Sequence, residues 1–527
     1  MARSARTTLL RGLYLTHRWL GVVLCAVMAL WFVSGIVMMY VGYPQLTEAE
    51  RTAHLPALGQ GESLLEPSAA LASAGLAHLP LADLRLAAAS GGRAVYLARR
   101  EGAAPRSAPV VIDAASGAPL REVDAARAIA SAKAWAGPDG TPPPAHEGML
   151  QEDAFTHSRA LDAHRPLHVV RLGDADDTVL YVSGTTGEVV RDAPRIERWG
   201  SYVGTWLHWL YMMRGNALQP YWSGTVNTLA FLGTLAALVG TVIGLQRWRF
   251  RGRYKSGART PYPAGGAMRW HHLLGLAFAA ATIAWVFSGW MSMNPWRLFD
   301  SGAPALRVAA FQGRPLIAND VHGASVSQLL AQAGPGAREL RWVLATDRAL
   351  VLAQPAHGTP QVLDAATAVR TVIDPIALQA AIARLVDAPL LRIDTLTDYD
   401  LYYYARASHT MTGARDKPLP VLRAVFGDEH ATWVHVDPHT GAVLGRLDDH
   451  RRVSRWLFTM LHSWDWAPLL ARRPVWDGWM LVWAVGGTAL SLTGVVIGWR
   501  RLRKGTGRRR RVASSSAAAS ATAVRNI

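Results

Sequence analysis

The chain repeats itself. At one constant offset of 254 residues, His17 falls on His271, Gly21 on Gly275, Trp31 on Trp285, and Ser34-Gly35 on Ser288-Gly289. The same offset carries Thr186-Gly187 onto Thr440-Gly441, His208 onto His462, Trp222 onto Trp476, Gly240 onto Gly494 and Gly244 onto Gly498. A register held over that distance marks a tandem duplication, so a solution for one half must also serve the other.

Each half opens and closes on an apolar run. The four runs, residues 19–43, 222–246, 273–293 and 476–499, are long enough to cross about 30 Å of hydrocarbon, which takes about 20 helical residues. Arg3, Arg6 and Arg11 precede the first run. That run exceeds a signal-peptide core and no small-x-small cleavage pattern follows it, so it reads as a retained membrane helix.

A net charge of +17 on 527 residues could indicate a nucleic-acid partner, but the charge is segregated. Residues 1–18, 247–269 and 500–527 hold 20 of the 55 Lys and Arg and no Asp or Glu. Each of these pieces abuts an apolar run, as the positive-inside rule expects of cytoplasmic ends, and the excess therefore points to a lipid bilayer and to no nucleic acid. Both termini and the 247–269 loop are then cytoplasmic, while the long segments 44–221 and 294–475 lie outside, in the periplasm if the bilayer is a bacterial inner membrane.

The expected division is an N-terminus with the first helix (1–43), an outer α+β domain (44–197), an interfacial helix with the second membrane helix (198–246), the basic loop (247–269), a third helix (270–293), a second outer α+β domain (294–454), an interfacial helix with the fourth (455–499), and a basic tail (500–527). Residues 94–97, 110–112, 179–182 and 433–436 read as strands, with turns at 113–117, 185–187 and 439–441, and residues 125–135 as a helix. The expected class is an α-helical membrane protein with four transmembrane helices. Its duplicated halves would be related by a pseudo-twofold axis along the membrane normal, which brings equivalent residues face to face.

Histidine is costly in a membrane and generally needs a partner. Two positions recur: His17 with His271 at the cytoplasmic ends of helices one and three, and His208 with His462 in the interfacial segments on the outer side. Equivalent histidines facing across an axis supply the two axial imidazoles of a six-coordinate haem iron, so two pairs imply two haems of the b type and electron transfer rather than oxygen binding. The only cysteine, Cys25, allows no disulfide and no CxxCH attachment, so such a haem would be non-covalent. His272 rivals His271, because adjacent side chains on a helix point about 100° apart and one alone faces the axis. Zinc is a weaker alternative for want of cysteines or clustered carboxylates, and hydrogen-bonded interfacial histidines are the plain one. Tyr402, Tyr403 and Tyr404 suit strand aromatics, His164 and His168 a local structural role, and Gly240, Gly244, Gly494 and Gly498 close helix approach. No phosphate loop, dinucleotide fingerprint or nucleophile elbow is present.

The segments THRWLGVV, FVSGIVMMY, HRPLH, RWLFTMLHSWD, RPVWDGWM and SLTGVVIGWRRLR resemble the PepSY-associated transmembrane proteins, iron-regulated membrane proteins that include ferric-siderophore reductases. The resemblance runs from about residue 10 to about residue 505. It implies four membrane helices, PepSY-type outer domains, and b-haem on His17, His271, His208 and His462. It also implies a cytoplasmic or quinol electron donor, and a ferric siderophore or other ferric chelate as periplasmic acceptor. Two other roles fit the same pattern: a non-redox uptake accessory whose outer domains bind a ligand or protease, and an electron-transfer subunit for a separate periplasmic enzyme.

Overall fold

The computed structural model describes residues 2–59, 63–104, 106–137, 142–410, 413 and 415–524, with side chains described from residue 7 to residue 503. The chain divides into two compact units: a first of Met1–Met38, Val203–Leu298 and Ser454–Ile527, and a second of Met39–Tyr202 and Phe299–Val453.

In the first unit, three unbroken helices are long and apolar enough to span a membrane: Thr7–Met38, Gln219–Arg247 and Arg473–Arg503. The run at 273–293 behaves differently. It falls in a pair of helices, Ala267–Ala277 and Ala279–Ser292, bent by 72° about Phe278, whose φ of −106° and ψ of 10° leave the α region. No proline stands there, Gly275 lies one turn earlier in the first helix of the pair, and the Phe278 side chain is packed against the fourth run. The Phe278 ring lies where a Cβ on Gly486 would stand, 2.0 Å from Cε1, and meets Trp483 edge-on at 5.5 Å.

The expected class, an α-helical protein of four transmembrane helices about a pseudo-twofold axis, is therefore corrected. Three helices are unbroken spans, the fourth is a bent pair, and the described residues also carry fifteen strands in three antiparallel sheets. Hydropathy measures length and composition, and does not register a bend within an apolar run.

The sheets belong to the second unit, where strands from both long segments share one seven-stranded sheet. Strand Leu81–Ser90 pairs antiparallel with Ala337–Ala345, and Leu86 stands opposite Leu340, its own counterpart at the 254-residue offset. Leu84, Leu86, Leu340 and Trp342 are buried in the core beneath this seam, each contributing about 2 kcal/mol by burial. Charges lock the register: Glu339 takes Arg51 at 2.8 Å and Arg85 at 3.3 Å, and Arg85 reaches Glu188 at 3.2 Å. Arg85 and Glu339 are equivalent positions with opposite charge, so the seam favours pairing of the first copy with the second. Two four-stranded sheets complete the unit, one within each segment. The turns at Gly117 and Gly187 have φ of 75° and 77°, open to glycine at little cost.

Candidate functional site

All four recurring histidines lie in the first unit, and the fold brings them together as two pairs. The ring centres of His17 and His271 are 6.1 Å apart, and those of His208 and His462 are also 6.1 Å apart. Each ring has one nitrogen committed. His17 Nδ1 bonds the Ala236 carbonyl and His271 Nδ1 the Thr493 hydroxyl, both at 3.0 Å. His208 Nδ1 bonds Ser34 Oγ and His462 Nδ1 bonds Ser288 Oγ, again both at 3.0 Å. The Nε2 atoms of all four have no hydrogen-bond partner among the described residues. An imidazole anchored through Nδ1 is oriented for Nε2 to take a metal.

The spacing is one that a shared ion would give. A ligating nitrogen sits about 2 Å from its metal and the ring centre about 1.1 Å behind it, so two axial imidazoles on one ion have centres about 6.2 Å apart. Two donors per site, with no group of three or more His, Cys, Asp or Glu able to hold a metal among the described residues, suit an ion whose other positions are filled by a macrocycle better than a bare zinc ion.

His17 and Ser34 share one helix, so the two pairs are separated by about 25 Å along its axis, close to the thickness of the hydrocarbon layer. Irregular backbone holds the pair at the far end from the basic segments. π-Helical turns at Tyr202–Trp206 and Arg455–Met460 precede His208 and His462. Two residues after each histidine the chain turns left-handed, at Leu210 (φ 53°) and Trp464 (φ 49°). Such conformations are costly for residues other than glycine and concentrate at functional sites. Trp222 and Trp476 donate their indole N–H to the carbonyls of Trp209 and Ser463, and Trp31 donates to the His208 carbonyl. The duplication thus repeats the serine and the Trp222/Trp476 contacts as well as the histidines themselves, while the Trp31 contact has no counterpart at Trp285, whose indole N–H has no partner among the described residues.

The pair at the basic end stands in a cavity of about 340 Å³. Its walls include six glycines that form three offset-related pairs: Gly21 with Gly275, Gly240 with Gly494, and Gly244 with Gly498. A Cβ on Gly240 would lie 2.4 Å from His17 Cε1, and one on Gly494 would lie 3.4 Å from His271 Cε1. The glycines read as helix-contact residues therefore also make room for the imidazoles.

His272 is elsewhere engaged. Its Nδ1 meets Thr260 Oγ1 at 2.7 Å and its Nε2 meets the Gly244 carbonyl at 2.9 Å, which pins the basic loop and leaves neither nitrogen for a metal. In the second unit, both ring nitrogens of His168 are used, by His146 and the Val123 carbonyl, and His164 bonds Ser183. Tyr403 is buried, donating to the Pro418 carbonyl and lying 4.9 Å from His435. Arg423 Nε donates to His435 Nε2 at 2.9 Å. Burial, with Arg423 and Lys417 nearby, depresses His435 to about 3. Sequence reading missed the π turns, the left-handed residues and the serine anchors; Ser34 and Ser288 recur at the offset and could have been flagged by it.

Two long apolar runs enclosing a long strand-rich segment, repeated once, with paired histidines in the helical unit, define a class of duplicated membrane proteins. The sequence matches the family model of the PepSY-associated TM region over residues 14–387, and the chain belongs to that family and is a membrane protein. The match contains His17, His208 and His271 and stops before His462. A search of curated proteins finds no match to the chain.

Proposed function

We propose that the protein is a haem-b-dependent electron carrier of the bacterial inner membrane that reduces ferric siderophores or other ferric complexes on the periplasmic side. The observation that carries this reading is the 6.1 Å separation within both histidine pairs, with every Nδ1 anchored and every Nε2 left over. The basic segments give the orientation, with both termini and the 247–269 loop cytoplasmic.

His17 and His271 would hold one b-haem and His208 and His462 a second. When bound, bis-imidazole haem supplies reversible one-electron transfer at an iron with no open coordination position. The protein's part is orientation and exclusion of water. Ser34, Ser288, Thr493 and the Ala236 carbonyl fix the imidazole planes, and the glycines admit a flat group against them. A cytoplasmic or quinol donor would feed one pair, and the acceptor would take electrons beyond the other. Reduction to ferrous iron weakens a chelate built from hard oxygen donors, which frees the metal.

The test is a visible spectrum of the detergent-solubilised protein, oxidised and then reduced by dithionite. Two low-spin b-haems per chain are expected, one lost in His17→Ala or His271→Ala and the other in His208→Ala or His462→Ala. A full complement of haem in all four variants would overturn the reading.

A further inference from the structure

The cavity at the basic end has a polar rim that the histidine ligands do not use. Arg18, Arg247 and Arg501 line it, and among the described residues no Asp or Glu does. The three arginines differ in what they already hold. Arg247 donates Nε to the Tyr14 hydroxyl at 2.5 Å and stacks on the Tyr14 ring at 4.9 Å. Arg18 and Arg501 have neither an ion pair nor a hydrogen bond among the described residues, and both are exposed. The rim therefore offers two uncommitted guanidinium groups beside an apolar slot walled by glycine. A ligand with a flat apolar body and two carboxylates matches that arrangement, because a guanidinium binds a carboxylate through two parallel hydrogen bonds.

We infer that Arg18 and Arg501 bind the two carboxylates of the macrocycle held by His17 and His271, so that its propionate edge faces the basic end of the membrane unit. The inference rests on the haem reading above and adds an orientation to it. The duplication alone would not supply this. Arg501 is the offset counterpart of Arg247, but the counterpart of Arg18 is His272, which is spent on Thr260 and Gly244. The carboxylate-binding rim is consequently lopsided: the site has symmetric axial ligands and an asymmetric charged edge.

The experiment compares haem b with its dimethyl ester, which lacks both negative charges. Full-length protein is depleted of haem and reloaded with either compound, and release from the His17/His271 site into excess apomyoglobin is followed. Wild type should release the ester at least about tenfold faster than haem, a difference of about 1.4 kcal/mol. Arg18→Gln/Arg501→Gln should release both at the rate at which wild type releases the ester, and Arg247→Gln should keep the wild-type preference. A spectroelectrochemical titration gives a second readout in which no haem is lost: removing two positive charges should lower the midpoint potential of one haem and leave the other unchanged. If both compounds load and the preference for haem survives in the double variant, the arginine assignment falls while the haem reading stands. If wild type takes up neither compound as a low-spin species, both fall together.

Discussion

The two histidine pairs share a spacing and differ in almost everything around it. At the basic end the rings are tilted by 41°, stand in a cavity with a basic rim, and lean on regular helices. At the other end they are inclined by 75°, are hydrogen-bonded through Nδ1 to serine hydroxyls that themselves donate to the Trp31 and Trp285 carbonyls, and sit between π turns and left-handed residues. One site is built by leaving out side chains and the other by bending the backbone. If both pairs hold haem as proposed, the unlike surroundings should give the two centres unlike potentials.

The sharpest way to break this contrast is to add a single methyl group. Gly240→Ala should expel His17 from its position and cost the chain one haem, because the new Cβ would fall 2.4 Å from the ring. Gly35→Ala, at 3.8 Å from His208 Cε1, should keep both haems. Haem content by pyridine haemochrome, with monodispersity on size exclusion as the fold control, separates the two variants. Equal loss in both would show that glycine has the same role at either end.

A smaller effect is expected from the anchors. Ser34→Ala and Ser288→Ala each remove the group that orients one imidazole at the far site, and loss of such a partner commonly weakens metal holding by about 10- to 100-fold. Thr493→Val removes the same kind of partner from His271 at the basic end and should weaken its haem by a similar factor. Rates of haem transfer to apomyoglobin would rank the variants, and wild-type rates in all three would show that these anchors do not hold the imidazoles.

How much of this was legible in the sequence follows from where each feature is encoded. The repeat names the four histidines that the fold brings together as two pairs. The strands at 179–182 and 433–436 and the helix at 125–135 are present because alternation and capping are local, as with Asp124 accepting from the Arg127 amide. The break at Phe278 accompanies a close approach to Gly486, more than 200 residues away, and the seam between Leu86 and Leu340 depends on pairing between distant segments. Neither long-range contact can be read from the neighbouring residues alone. The 254-residue register already favours His271 over His272, and the fold adds that both nitrogens of His272 are occupied by Thr260 and Gly244.

His272 gives the next prediction. His272→Ala should keep both haems while destabilising the protein by about 1–3 kcal/mol, the cost of stranding buried partners. Loss of a haem with unchanged thermal stability would instead restore it as a ligand.

The smallest effect concerns a histidine buried for structure alone, and it separates that use of imidazole from ligation. His435 accepts a hydrogen bond from Arg423 Nε, so it has to be neutral, and its surroundings depress it from 6.5 to about 3. Above pH 6.5 the ring is neutral in the folded and unfolded chains alike and its contribution is fully present. As pH falls from 6.5 toward about 3 the unfolded chain binds a proton that the folded one refuses, so stability declines through that window. The thermal midpoint of the second unit should therefore drop on acidification. His435→Gln, which can still accept from Arg423 but does not titrate, should flatten the drop even if it lowers the midpoint at neutral pH. An unchanged acid slope in that variant would place the responsible proton elsewhere.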